Sequence, residues 1–197
     1  MNNLPWAAFA KTCGPDLRPV VIDPNAVFNA HSTVQSHPCK IPSTVVNDAA
    51  VPMTGWGVFD AIPKDIERWS ADPRLGFGMR CRELQAITIK AATSLGQVME
   101  RDRIVRFLGK APSIAVSRED DPTRGIVLFK AANGNARHRV ETQHAEIENL
   151  NDNHFVVLAG GPLGYRWSTH IEGDLQDLVN SKHRVKTETL AKIFSNR

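Results

Sequence analysis

The chain has 197 residues, of which 42% are hydrophobic and 23% charged, with a formal net charge of +3. That suits one domain with a real core, and no apolar run approaches the roughly 18 residues that cross a membrane. Met1 to Gly14 lack the basic start and long apolar stretch of a secretory signal. The three cysteines, Cys13, Cys39 and Cys81, are far apart and form no zinc-spaced Cys/His cluster. The expectation is a reduced, cytoplasmic protein.

In chain order, Pro5 to Lys11 reads as a short helix, with Pro5 near its start and Gly14 just past its end. Arg18 to Asp23 reads as a strand. Residues 24–55 are rich in Pro, Ser, Asn and His and poor in periodicity, which predicts irregular, anchored structure. Ile62 to Asp72 reads as a helix, with Ile66 and Trp69 on one side. Two strands follow, Leu75 to Arg80 and Leu84 to Ala91, and then a helix from Ser94 to Asp102. Strand-like runs come next at 104–107, 114–118, 126–130, 146–150, 155–159 and 165–168. They are separated by turn signals that include Gly109 with Pro112, Asp120-Asp-Pro122, Asn133-Gly134, Asn151-Asp-Asn153 and Gly160-Gly-Pro162. A helix from Glu188 to Ser195, capped by Thr187, closes the chain. The pattern predicts an α+β fold in one domain over residues 1–197. Its expected divisions are an N-terminal segment of residues 1–75, a mostly antiparallel sheet core 76–170 and a helical tail 171–197.

Charge is not evenly spread. Residues 76–140 hold twelve Lys and Arg against six Asp and Glu. A basic stripe on a folded surface attracts phosphates, although it can equally be a solvated face. No P-loop, dinucleotide fingerprint or HExxH motif is present.

On the strand Leu84 to Ala91, side chains alternate between faces. Ile87 and Ile89 point into a core, so Thr88 and Lys90 share the other face. A lysine there suits a wet face or the wall of a cleft.

The ordered set of segments around this strand resembles the bifunctional primase–polymerase domains of the archaeo-eukaryotic primase superfamily, found in phage, plasmid and mobile-element replication proteins. Arg18-Pro-Val-Val resembles the family's opening strand, Lys40-Ile-Pro42 its Lys-x-Pro element and Gly55-Trp56 its following Gly-Trp. Trp69 with Leu75-Gly-Phe-Gly78 is similar to the lead into the catalytic strand, whose place Leu84 to Ala91 takes. Arg106-x-x-Gly-Lys-Ala-Pro112 resembles a basic loop, and Arg118 the arginine closing the next strand. Glu146-Ile-Glu148-Asn-Leu150, His154-Phe-Val-Val157 and Gly164-Tyr-Arg-Trp167 resemble the block that supplies the third carboxylate and two closing strands. The resemblance implies a primase–polymerase-like fold with an RNA-recognition-motif-like core.

The departures bear on chemistry. Where the family has a metal-binding Asp-x-Asp, this chain has Thr88 and Lys90. Two-metal nucleotidyl transfer needs closely spaced carboxylates, and an ammonium near a cation at about 4 Å is repelled by several kcal/mol. Ser113 stands where a basic residue is common, and the family's histidine motif has no clear counterpart. The expectation is a degenerate active site with no catalytic residues and no cofactor, in which the retained Glu148 pairs with Lys90. DNA, single-stranded or primer-template, or a nucleotide would be held by Lys40, Arg106, Lys110, Arg118 and Lys130. Arg137-His-Arg139 is a basic cluster on an expected turn. Trp56, Trp69 and Trp167 could stack on bases, with core packing as the competing role.

Two other readings stay open. The fold can serve as a protein-interaction scaffold or inhibitor. Alternatively, displaced acids such as Asp72 or Glu83 act with Glu146 and Glu148, using Mg or Mn and NTP or dNTP.

Overall fold

The computed structural model describes residues 6–23, 25–29, 32–34, 36–132, 138–152, 154–160, 165–167 and 175–195. The elements are α1 (Trp6–Cys13), β1 (Leu17–Val21), β2 (Ser43–Val46), β3 (Ala49–Pro52), α2 (Pro63–Ala71), β4 (Leu75–Arg80), β5 (Leu84–Ala91), α3 (Ser94–Leu108), β6 (Ser113–Arg118), β7 (Arg124–Lys130), β8 (Arg139–Glu141), β9 (Ala145–Leu150), β10 (Phe155–Ala159), β11 (Tyr165–Trp167), α4 (Leu175–Asn180) and α5 (Thr187–Ser195). This is an α+β chain with mostly antiparallel sheets. The strands expected in one sheet core are divided between two sheets, β1-β4-β10 and β11-β6-β7-β5-β9-β8, and β2-β3 is a separate hairpin. None of the helices among the described residues is long and apolar enough to cross a membrane.

The chain separates into two compact units, Met1–Arg80 with Asn153–Tyr165, and Cys81–Asp152 with Arg166–Arg197. In the first, β4 is the central strand of three, antiparallel to both β1 and β10. Trp6 and Phe9 of α1 pack on Phe77 of β4, with ring centroids 4.7 and 4.9 Å apart. Trp69 is buried in the core, as its spacing with Ile66 predicts. Two fully buried guanidiniums fix the loop before α2. Arg18 donates to the carbonyls of Trp56 and Phe59, and Arg80 to the Gly57 carbonyl and to the carboxylates of Asp16 and Asp60.

In the second unit, α3 and α5 cover one face of the six-stranded sheet. Ile87, Ile89, Val127, Phe129 and Ile147 meet Ile104, Leu108, Leu190 and Ile193 in one cluster. Thr93 caps α3 by accepting from the Gly96 amide at 3.0 Å. Buried Gln97 lies over Gly125, where an added Cβ would come within 2.2 Å of its amide nitrogen. Buried Glu100 accepts from Arg103 at 2.6 Å and from Thr142 at 3.1 Å, which ties α3 to the turn before β9.

Several local expectations change. The run 104–107 is helical, because α3 continues to Leu108. Ile104 and Leu108 lie one turn apart on its buried side, and Gly109, at φ 65°, ends it. Its apolar β-branched residues resemble a strand in isolation, but no turn signal separates them from the helix. Within 24–55, β2 and β3 form a hairpin around Asn47 and Asp48, both at positive φ, as a two-residue turn of this hand requires. Arg139 lies on β8 rather than on a turn. Arg137, the Asn133-Gly134 turn, Gly161 to Gly164 and Ser168 lie outside the described residues, as does the side chain of Trp167.

Candidate functional site

β5 is the central strand of this site, hydrogen-bonded to β7 on one side and β9 on the other. Its alternation is as the sequence predicts: Ile87 and Ile89 are buried in the helix-covered core, Thr88 is half-buried and Lys90 exposed. Directly paired residues on neighbouring strands share a face. Register therefore sets the companions of Thr88 and Lys90: Ile126 and Glu148 for Thr88, Arg124 and Glu146 for Lys90.

The partner of Lys90 is thus Glu146, not Glu148. The Lys90 Nζ lies 4.0 Å from Glu146 Oε2, and the other carboxylate oxygen of Glu146 accepts from Arg139 of β8 at 2.8 Å. Glu148 sits opposite both Thr88 and Arg139, and the Thr88 hydroxyl donates to its main-chain carbonyl at 3.4 Å. Sequence reasoning names both glutamates but pairs Lys90 with the wrong one. A two-residue offset along β9 keeps the same face, so alternation alone cannot distinguish them.

On β5 this face has a hydroxyl and an ammonium where two-metal chemistry uses carboxylates. The face offers the Thr88 hydroxyl, the Lys90 ammonium, the Glu148 carboxylate and a Glu146 already shared by two cations. Among the described residues, no group of three or more His, Cys, Asp or Glu is arranged to hold a metal. The expected displaced acids are not on this face of the sheet. Asp72 lies in the other unit, where both its oxygens accept from Arg74, and those hydrogen bonds hold its carboxyl below the usual range. Glu83 precedes β5 at the end remote from Lys90, roughly 20 Å along the strand. It pairs there with Lys130 at 3.3 Å and Arg184 at 2.6 Å.

Within the second unit, the basic candidates are not gathered at one place on the sheet. Lys40 belongs to the first unit. Lys130 points into its own unit, with its Nζ donating to the carbonyls of Val179 and Ser181, and is a clamp on the C-terminal end of α4. α3 runs back along the sheet, so Arg106 and Lys110 lie toward the Lys130 end and are exposed. Arg118 lies at the opposite end, holding Asp120 through two contacts of 3.1 Å. Trp56 is half-buried, its ring edge-on to Phe155 at 5.8 Å.

Arg124, which sequence reasoning passes over, belongs to the Lys90 end. It stands directly opposite Lys90, and its Nε is 3.4 Å from Asp121 Oδ2. The same oxygen is 3.7 Å from Arg118. A hydrogen bond from the Thr123 hydroxyl, helped by the Thr123 amide and the charge of Arg118, keeps the Asp121 carboxyl below its ordinary range against the opposing effect of burial. The available signal was alternation in β7, which puts Arg124, Ile126 and Leu128 on one face.

No protein-family model matches the chain, and no curated protein matches it in sequence.

Proposed function

We propose that this chain is a catalytically degenerate primase–polymerase-like protein of a phage or mobile element, which binds DNA or nucleotide without nucleotidyl transfer. The observation that carries this is the shared face of Thr88, Lys90 and Glu148 on adjacent strands. A three-carboxylate site needs that relationship, and two of its three positions are a hydroxyl and an ammonium. The strand order supports the fold reading. Taken as a βαββ…β series, β5, β6, β7 and β9 lie in the order second, third, first, fourth, the arrangement of an RNA-recognition-motif-like core.

The test is to rebuild the site. Thr88→Asp with Lys90→Asp should create manganese binding, measured by paramagnetic relaxation, that is lost again on adding Glu148→Gln. Wild-type protein should show no such Glu148-dependent binding and no primer extension. Primer extension by the wild type that Glu148→Gln abolishes would overturn the reading.

A protein-interaction role has one observation in its favour. Leu95, Val98 and Met99 stand exposed at 66%, 36% and 44% along one side of α3, and such apolar stripes mark partner surfaces. Leu95→Glu should abolish a stoichiometric protein complex if this surface makes one.

A further inference from the structure

The geometry points to a metal-independent phosphate site formed by Arg124 and Lys90, with Arg118 beside it. This deepens the reading of DNA or nucleotide binding and rests on it for the class of ligand. Arg124 and Lys90 are direct cross-strand partners on β7 and β5 and project from the same face. Like charges in that relationship are destabilising unless an anion lies between or beside them. The row continues: Ser117 pairs with Gly125, so Arg118 is next in register beside Arg124. Three cations on three adjacent strands, about 4.8 Å apart, are thus aligned along one end of the sheet.

Their present partners hold them unequally. Arg118 has close contacts with Asp120. Arg124 has one contact to a carboxylate at 3.4 Å, and Lys90 one at 4.0 Å. Both exceed the 2.7–2.9 Å typical of a strong charge-assisted hydrogen bond. Arg124 and Lys90 therefore have donor capacity left, and Lys90 is 56% exposed. A single Asp121 oxygen lies between Arg124 and Arg118, where an oxygen of a phosphate would bridge the two guanidiniums. Arg matches phosphate through its planar fork and Lys supplies a compact charge. The ammonium stands on the strand where a polymerase would need acids for a cation, so phosphate is held by protein charge and no metal is required.

The probes are inorganic pyrophosphate and a single-stranded oligothymidylate, each titrated in EDTA at low salt by calorimetry and fluorescence anisotropy. Binding is expected in EDTA, weakened at least tenfold by Arg124→Gln and also by Lys90→Gln. Lys192→Gln, which removes one exposed charge from α5, should leave it unchanged. Pyrophosphate without the oligonucleotide identifies free phosphate groups as the ligand, and the reverse identifies a polynucleotide backbone. For the oligonucleotide, each lost contact should reduce the slope of log affinity against log salt by about 0.7. Lys90→Gln is the safer variant, because its side chain is exposed and the fold should survive its removal. Absence of binding, a requirement for Mg, or equal weakening by Lys192→Gln would overturn the site. Failure of the rebuilt manganese site, with phosphate binding intact, would instead remove the primase–polymerase ancestry and leave this site standing.

Discussion

Lys90 faces Glu146 directly across the β5–β9 ladder, and Glu146 is shared with Arg139 on the far side. One carboxylate therefore joins three strands on the face where the resemblance to polymerases would call for metal ligands.

The Lys90 half of this link should be weak. The lysine is 56% exposed and the contact is 4.0 Å long. A double-mutant cycle of Lys90→Ala and Glu146→Ala in urea should give a coupling of about 0.2–1 kcal/mol that shrinks with salt. The cycle with Arg139→Ala should give a larger value, since that contact is 2.8 Å. The opposite ranking would contradict the geometry of these two contacts.

Arg80 should tolerate no replacement. It is buried, and it joins Asp16, Asp60 and the Gly57 carbonyl. Arg80→Met should destabilise by about 3 kcal/mol, since it strands a carbonyl and the partly buried Asp16 carboxylate. Arg80→Lys should recover little, because an ammonium lacks the fork that reaches all three. Denaturant unfolding decides this, and a loss below about 1 kcal/mol for Arg80→Met, the low end for stranding a buried polar group, would contradict it.

Gly76 lies on β4 beside the end of β10. An added Cβ would be 2.4 Å from the Ala159 carbonyl oxygen and 2.9 Å from the Gly160 Cα. Both are backbone atoms and neither can rotate away. Gly76→Ala should therefore destabilise by about 3 kcal/mol and raise amide exchange across β10. Unchanged exchange there would show that the strands are not so tightly apposed.

Acid should weaken the protein through Glu83. Burial alone would raise this carboxyl, but hydrogen bonds and charges from Lys130 and Arg184 together hold it below its usual value. A carboxyl depressed by folding adds stability that is fully present above its unfolded value, about 4.3. That stability is lost as pH falls through the lower folded value. Melting temperature should fall below that range, and Glu83→Gln should make the fall shallower. Asp72 and Asp121 are depressed too, so some slope should remain. Identical slopes for wild type and variant would remove Glu83 from the explanation.

Much of this was legible in one dimension. The alternation of β5 is local chemistry: Ile87 and Ile89 must face one way if Thr88 and Lys90 face the other. The absence of an acid pair on that strand is likewise a fact of the sequence. The error at 104–107 arose because a short run such as Ile104-Val-Arg-Phe107 looks alike at periods of 2 and 3.6 until its neighbours are known. The β2–β3 hairpin is hard to read from sequence because its strands are short, and its turn carries Asn47-Asp48 without the glycine that usually marks such turns.

What the tertiary structure decided is who stands opposite whom. The pairing of Lys90 with Glu146 depends on the register of strands more than fifty residues apart in sequence. The same is true of Arg124 beside Lys90 and of the separation of Arg118 from Lys130 toward opposite ends of β7. Composition showed an excess of positive charge in the middle of the chain. Strand pairing dispersed most of it into clamps and ion pairs, and it left Lys90 beside Arg124. Alternation fixes a side chain's face, but its neighbours come from hydrogen-bonded register, which is a property of two strands and cannot be read from either alone.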